Sequence, residues 1–300
     1  MSSVLVVGSV ALDNIKTPKE EHKNLLGGSA SYASVAAGFF APAKMVGVVG
    51  EDFPKEYVEL FRSKNVDVEG LKTEAGKTFA WHGEYELNMN NRRTLSVELN
   101  VFETFQPELP ASYRSTPYVL LANIAPSLQS HVLSQIESPR FIIADTMDLW
   151  IQIANEDLRK LIKQVDMLIL NDSEARDFTG QDNVIRAGHE ILKMGPRYVV
   201  IKKGEHGAIL FGQEGYFLAP AFPLDDVKDP TGAGDCFAGG LIGTLAAENR
   251  HDFDTLKKAV IHGTVVASFN VEAFSMGKLK AINSEQIAGR TGKMREYASF

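Results

Sequence analysis

The sequence predicts an α/β fold, a three-layer α/β/α arrangement around a mostly parallel central sheet, with a small β-sheet inserted into it. Three observations carry that expectation. From residue 118 to 202 short apolar runs alternate with helical patterns, which is the mark of successive βα units. Those runs, Tyr-Val-Leu-Leu from 118 and Tyr-Val-Val-Ile from 198, are apolar throughout, as strands buried on both faces are. Between 78 and 101 the pattern changes to TFAWHGEYELNMNNRRTLSVELNV, an alternation rich in β-formers with Asn90-Asn91 as its turn.

Taken in order, the chain opens with a strand at 4–7 and Gly8, running on to Asp13. Gly27-Gly28 then leads into small residues at helical spacing. A strand at 43–49, a helix at 55–63 and an extended segment from Val66 precede the ribbon. Strands at 118–122, 141–144, 167–170 and 198–202 follow, with helices at 127–137, 155–165, 173–178 and 184–194. Lys202-Lys203-Gly-Glu-His-Gly207 turns into a further run at 208–211. Helices are expected from 235, over 256–273 and from Asn283. We expect one domain over 1–300, with the inserted strands near 10–20 and 76–103.

Composition narrows the function classes. With 44% hydrophobic residues the chain can build a sizeable core, and a net charge of −7 gives no bulk attraction to nucleic acid. Cys236 is the lone cysteine, which excludes an internal disulfide and suits a reducing compartment. The start, MSSVLVVGSVALDN, lacks the basic segment and cleavage site of a signal peptide, and no apolar run approaches the roughly 20 residues that span a bilayer. The expectation is a cytoplasmic protein without membrane or nucleic-acid partners; the Asn171-Asp-Ser173 glycosylation pattern is set aside for want of a secretory signal.

Chemistry concentrates at 225–240, DDVKDPTGAGDCFAGG. Gly232, Ala233 and Gly234 let the backbone approach a ligand, and the helix that follows points free N–H groups and its positive dipole end at the same place. Asp235 would by itself be an ordinary dipole-complementing residue. Against an anion-binding turn, its carboxylate is also placed to take a proton from an attacking hydroxyl. Asn123, Asp145, Asn171 and Lys202 each close an apolar strand, the end at which ligands of parallel sheets bind. Asn171 and Ser173 would equally cap a helix, and paired lysines would equally mark a solvated edge.

The run DPTGAGDCFAGG resembles the C-terminal signature of the ribokinase-like, or PfkB, sugar and nucleoside kinases, of the form D-T-x-G-A-G-D, with Pro230 here between Asp229 and Thr231. The resemblance implies an ATP-dependent kinase, Mg²⁺ as cofactor, K⁺ in many members, and a sugar or nucleoside acceptor. It puts the general base on Asp235 and the anion hole on Gly232, Ala233 and Gly234. Asp13, Gly27 and Gly28 would meet the acceptor, together with Asn123 and Asp145. Where the family commonly has Asn four residues after the second glycine this chain has Tyr32, a departure that bears on any ribose assignment. Asn171-Asp-Ser-Glu174 resembles the family's N-x-x-E motif, with Glu174 organising the hydration shell of Mg²⁺ and Asn171 near the triphosphate. Lys202, Gly204, Gly207, Thr231 and His262 complete the implied nucleotide site, and the segment 269–277 would close around adenine. Asp229 and Thr231, with nearby carbonyls, would hold the monovalent cation. The ribbon resembles the family's lid, which in several members also forms a homodimer; Trp81, His82, Tyr85 and Arg93 lie on it.

Other chemistries fail on spacing. Gly76-Lys77-Thr78 ends like a P-loop, but Leu71 occupies its first glycine position. Phe237 breaks a dinucleotide fingerprint, no His/Cys cluster suggests zinc, and no G-x-S-x-G elbow is present. A nucleoside kinase and a catalytically silent binding protein of the same fold remain beside the sugar kinase.

Overall fold

A computed structural model describes residues 2–89 and 92–299; the predicted Asn90-Asn91 turn lies outside them. The strands are β1 (Val4–Val7), β2 (Ala11–Lys16), β3 (Glu21–Gly27), β4 (Ala43–Gly50), β5 (Val66–Glu74), β6 (Ala80–Tyr85), β7 (Arg92–Glu98), β8 (Tyr118–Leu121), β9 (Phe141–Asp145), β10 (Met167–Asn171), β11 (Tyr198–Lys202), β12 (Ala208–Gly212) and β13 (Gly215–Ala219). The helices are α1 (Ser29–Gly38), α2 (Lys55–Ser63), α3 (Pro126–Leu133), α4 (Asp148–Ile153), α5 (Asn155–Leu161), α6 (Asp172–Thr179), α7 (Val184–Met194), α8 (Ala233–Glu248), α9 (Phe253–Asn270), α10 (Gly277–Ala281) and α11 (Ser284–Ala298).

The large sheet has the order β13-β12-β11-β10-β9-β8-β1-β4-β5, parallel from β11 to β5 and antiparallel at β11-β12-β13. Its strands alternate between two cores. Val4 and Val6 face one, with α1, α8 and α9; Leu5 and Val7 face the other, with α5, α6 and α7. That two-sided burial is why the runs from 118 to 202 carry no polar alternation. The small sheet has the order β3-β2-β6-β7. Beside the strands expected near 10–20 and 76–103 it holds β3, which escaped the sequence reading because its first five residues are exposed or half-buried.

Helix α8 is buried on nearly every side because its glycines admit neighbouring backbones. A Cβ on Gly239 would lie 2.2 Å from the Ala33 carbonyl oxygen of α1, and one on Gly240 would lie 3.1 Å from Cα of Gly263 in α9. Held between α1 and α9, the helix presents its N-terminus to the carboxyl ends of β9, β10 and β11. Among the described residues no helix is long and apolar enough to cross a membrane.

Candidate active site

A cleft of about 1460 Å³ runs between the carboxyl ends of the large sheet and the small sheet, room for a nucleotide and a second small molecule together. Its floor is the turn before α8. Gly232, with φ 77°, forms the helix start, and a Cβ there would meet the Tyr32 ring at 2.4 Å. Only glycine therefore suits this position. No side chain caps α8; the Ala233 amide turns back 3.2 Å to the Pro230 carbonyl, while among the described residues the Gly232 and Gly234 amides have no protein acceptor. Such N–H groups at a helix start favour an anion.

Acidic groups surround this turn. Asp235 is pushed up to about 7, first by burial and then by the nearby Asp145 carboxylate, with Lys202 pulling the other way. Lys202, at the end of β11, sets its Nζ 3.3 Å from Oδ1 of Asp145 at the end of β9. The Lys202 ammonium stays charged, because those carboxylates outweigh the desolvation that would lower it. Between them, at the end of β10, Asn171 accepts the Glu174 amide at 2.8 Å while Glu174 Oε2 accepts the Asn171 amide at 2.7 Å. The capping reading and the cleft reading hold together here: both side chains cap α6, and both line the cleft. Burial pushes Glu174 up to about 7.

At the opposite end Asp13 is 3% exposed and pushed up to about 8, chiefly by burial, with Asp229 and Asp235 adding to the rise. Its Oδ1 has no hydrogen-bond partner among the described residues. Gly28, with φ 92°, lines the cleft; Gly27 does not, but lies against Asp13, where a Cβ would sit 1.8 Å from Oδ2. Asn123 accepts from Trp150 Nε1 at 2.9 Å. Gly204 and Gly207 border the cleft at the turn after β11, and Gly207, with φ 85°, brings its backbone against the Ala219 carbonyl.

Asp229 lies beneath the turn, fully buried, accepting amides from Thr231 at 2.9 Å and Ser275 at 3.0 Å. It makes no ion pair among the described residues. Asn270 donates to the Thr231 carbonyl at 2.7 Å and keeps a buried Oδ1 without a partner among the described residues.

One expectation is corrected. His262 does not border the cleft: its Nδ1 pairs with Thr244 Oγ1 at 2.9 Å, its ring stacks on Phe40, and burial pulls it down to about 4. The face of α9 that meets the cleft carries Thr264, Ala267, Ser268 and Val271. Sequence reasoning also missed Met147, Asp148, Leu149 and Trp150, which enter the cleft from the segment after β9, and Arg92 of β7. A polar strand end at Asp145 was the one available signal for the former.

Free amides at a helix start, a half-buried carboxylate beside them and a lysine at the neighbouring strand end make a place suited to an anionic group. Residues 1–280 match the model of the pfkB family of carbohydrate kinases, and the chain belongs to that family. It is a kinase with an alcohol group as acceptor, of the kind that uses ATP on sugars or nucleosides. The cytidine kinase of Thermococcus kodakarensis is 28% identical over 250 residues, 81% of this chain and 88% of that protein. The crystal structure of a Methanocaldococcus jannaschii nucleoside kinase superposes with a TM-score of 0.78 at 19% identity, covering 98% of this chain and 99% of that one. A Vibrio cholerae fructokinase bound to fructose, ADP and potassium ion gives 0.81 at 19% identity, covering 97% and 98%. At such identities the two structures bear on the fold.

Proposed function

We propose that this protein transfers the γ-phosphoryl group of ATP to a primary hydroxyl of a sugar or sugar-like small molecule, with Asp235 as general base. The observation that carries the reading is the half-buried Asp235 carboxylate in the cleft beside the Gly232 and Gly234 amides, which have no acceptor among the described residues. Phosphoryl transfer needs little covalent help from a protein and depends on positioning and charge stabilisation. Asp235 takes the hydroxyl proton, and the 232–234 backbone meets the charge on the transferred group. Lys202 draws phosphate toward the turn, with Asn171, Thr231, Gly204 and Gly207 along the rest of the nucleotide path. Asp13, Gly28, Asn123 and Asp145 hold the acceptor, and Gly27 shapes Asp13 from behind.

The residues fit Mg²⁺ held largely through water and phosphate: Glu174 borders the cleft with one oxygen engaged by its cap, and no cage of three or more acidic or His/Cys ligands stands among the described residues. When bound, the ion neutralises charge on the phosphates. Asp229, a buried carboxylate on the Thr231 amide, and Asn270, which holds the Thr231 carbonyl and keeps an Oδ1 without a partner among the described residues, suit a monovalent cation such as K⁺.

The single domain spans 1–300, with the small sheet as a lid over the acceptor. Along β7 every side chain is exposed, with Val97 50% and Leu95 41% accessible, which supports a homodimer formed through the lids. The lone buried Cys236 supports a cytoplasmic location.

A nucleoside acceptor is the second reading, favoured by Trp81, Phe79, Met147 and Trp150 around Asn123 and Asp13, a surface suited to a flat base. ADP formation measured across a panel of sugars and nucleosides tests both. Turnover with none of them, with ATP still bound, would leave a silent binding protein.

A further inference from the structure

Strand β6 touches both halves of the cleft. Trp81 and Tyr85 stand four residues apart and face the cleft on one side of the strand; Gly83 between them is bare, so the Trp81 ring lies over it. At one end the backbone amide of Trp81 favours the charged form of Asp13. At the other, Tyr85, 7% exposed, accepts a hydrogen bond at 3.0 Å from Thr231 Oγ1. Thr231 is also held at Asp229, through both its side chain and its amide, and its carbonyl lies under Asn270. It immediately precedes Gly232, whose left-handed conformation starts α8. The side-chain bond to Tyr85 is thus a link from the small sheet to the turn that carries the amides. Burial holds the Tyr85 phenol up at about 12, so at neutral pH it is a fixed dipole and takes no part in proton transfer.

Resting on the kinase reading above, we infer that Tyr85 is a positioning residue for phosphoryl transfer: through Thr231 it ties the strand bordering Asp13 to the 231–235 turn. Acceptor contacts that seat β6 therefore also set the amides and Asp235, and transfer is favoured when both substrates are in place. Tyr85 acts by where it holds Thr231.

Two measurements test this. The first uses the Tyr85→Phe variant, which keeps the ring and removes the hydroxyl. It is expected to lower kcat about fivefold to tenfold, the scale of one hydrogen bond, with KM for ATP and for the acceptor within about twofold. Thr231→Val, which also gives up the side-chain interaction with Asp229, should lose at least that factor, and adding Tyr85→Phe to it should cost nothing further, since the Thr231–Tyr85 bond is already gone. Losses that multiply, or a Tyr85→Phe kcat equal to wild type, overturn the inference. The second is amide hydrogen exchange on the full chain without substrates. Tyr85→Phe should speed exchange several-fold in 229–236 and leave 253–270 unchanged. Unchanged exchange in 229–236, or a rise spread over the whole chain, overturns it as well. If no acceptor in the panel is phosphorylated by the wild type, the kinase reading fails, and the exchange result still decides the role of Tyr85.

Discussion

The Lys202 ammonium and the Asp145 carboxylate lie 3.3 Å apart at the ends of β11 and β9, and both act electrostatically on Asp235. Burial raises Asp235, Asp145 raises it further, and Lys202 opposes them, leaving it at about 7. The base is needed deprotonated, so kcat/KM should fall tenfold per pH unit below about 7 and level off above. Replacing Asp145 by Asn removes a neighbouring negative charge and frees Lys202 to favour the Asp235 carboxylate. Both changes lower the Asp235 pKa. A pH profile of the Asp145→Asn variant should therefore break at lower pH than wild type, whatever happens to its plateau; a break at the same pH would detach Asp145 from the base.

Asp235→Asn keeps the shape of the turn and removes the proton acceptor. Turnover should drop by at least about 10² while ATP affinity, read by calorimetry, stays close to wild type. Because Asp235 lies in the first turn of α8, a helix-dipole role alone would predict a small stability change and ordinary turnover. Near-normal kcat would assign it that lesser role.

Glu174 does two things that substitution separates. Glu174→Gln retains an oxygen for the Asn171 amide and so keeps the capping box, but loses the charge. It should raise the Mg²⁺ concentration needed for half-maximal rate with little change in Tm. Glu174→Ala should show the same Mg²⁺ effect and also lose about 1 kcal/mol of stability with the cap. Identical Mg²⁺ dependence in all three proteins would remove Glu174 from the metal's surroundings.

Much of this arrangement is legible in the amino-acid sequence. The series β8 to β11 announces itself because strands buried on both faces cannot carry polar alternation, and the α8 turn because its glycines have no other local use. Other parts are hidden for definite reasons. Strand β13 pairs only at an edge and exposes Tyr216 and Leu218, so its apolar content does not read as a core strand. The short α4 offers too few residues to show a period, yet it brings Trp150 to Asn123. His262 misleads because α9 is packed on several sides, by α8, α11 and the sheet, and such a helix does not declare which face meets a cleft.

Asp13 carries the same logic into stability. Its carboxyl is raised from 3.8 to about 8 in the fold, so between those values the native protein holds a proton that the unfolded chain has released. Stability from this group is complete at low pH and is lost as pH rises toward 8. An Asn at position 13 mimics the protonated form and does not titrate. The variant should consequently show a Tm close to wild type at pH 5 and above it at pH 8.5, with the gap widening through the interval. Acceptor binding should be impaired at every pH, since an amide nitrogen replaces one of the two carboxyl oxygens that Asp13 brings to the cleft. A Tm difference independent of pH would mean that Asp13 titrates near its ordinary value and that its burial against Gly27 stores no electrostatic cost for an acceptor to relieve.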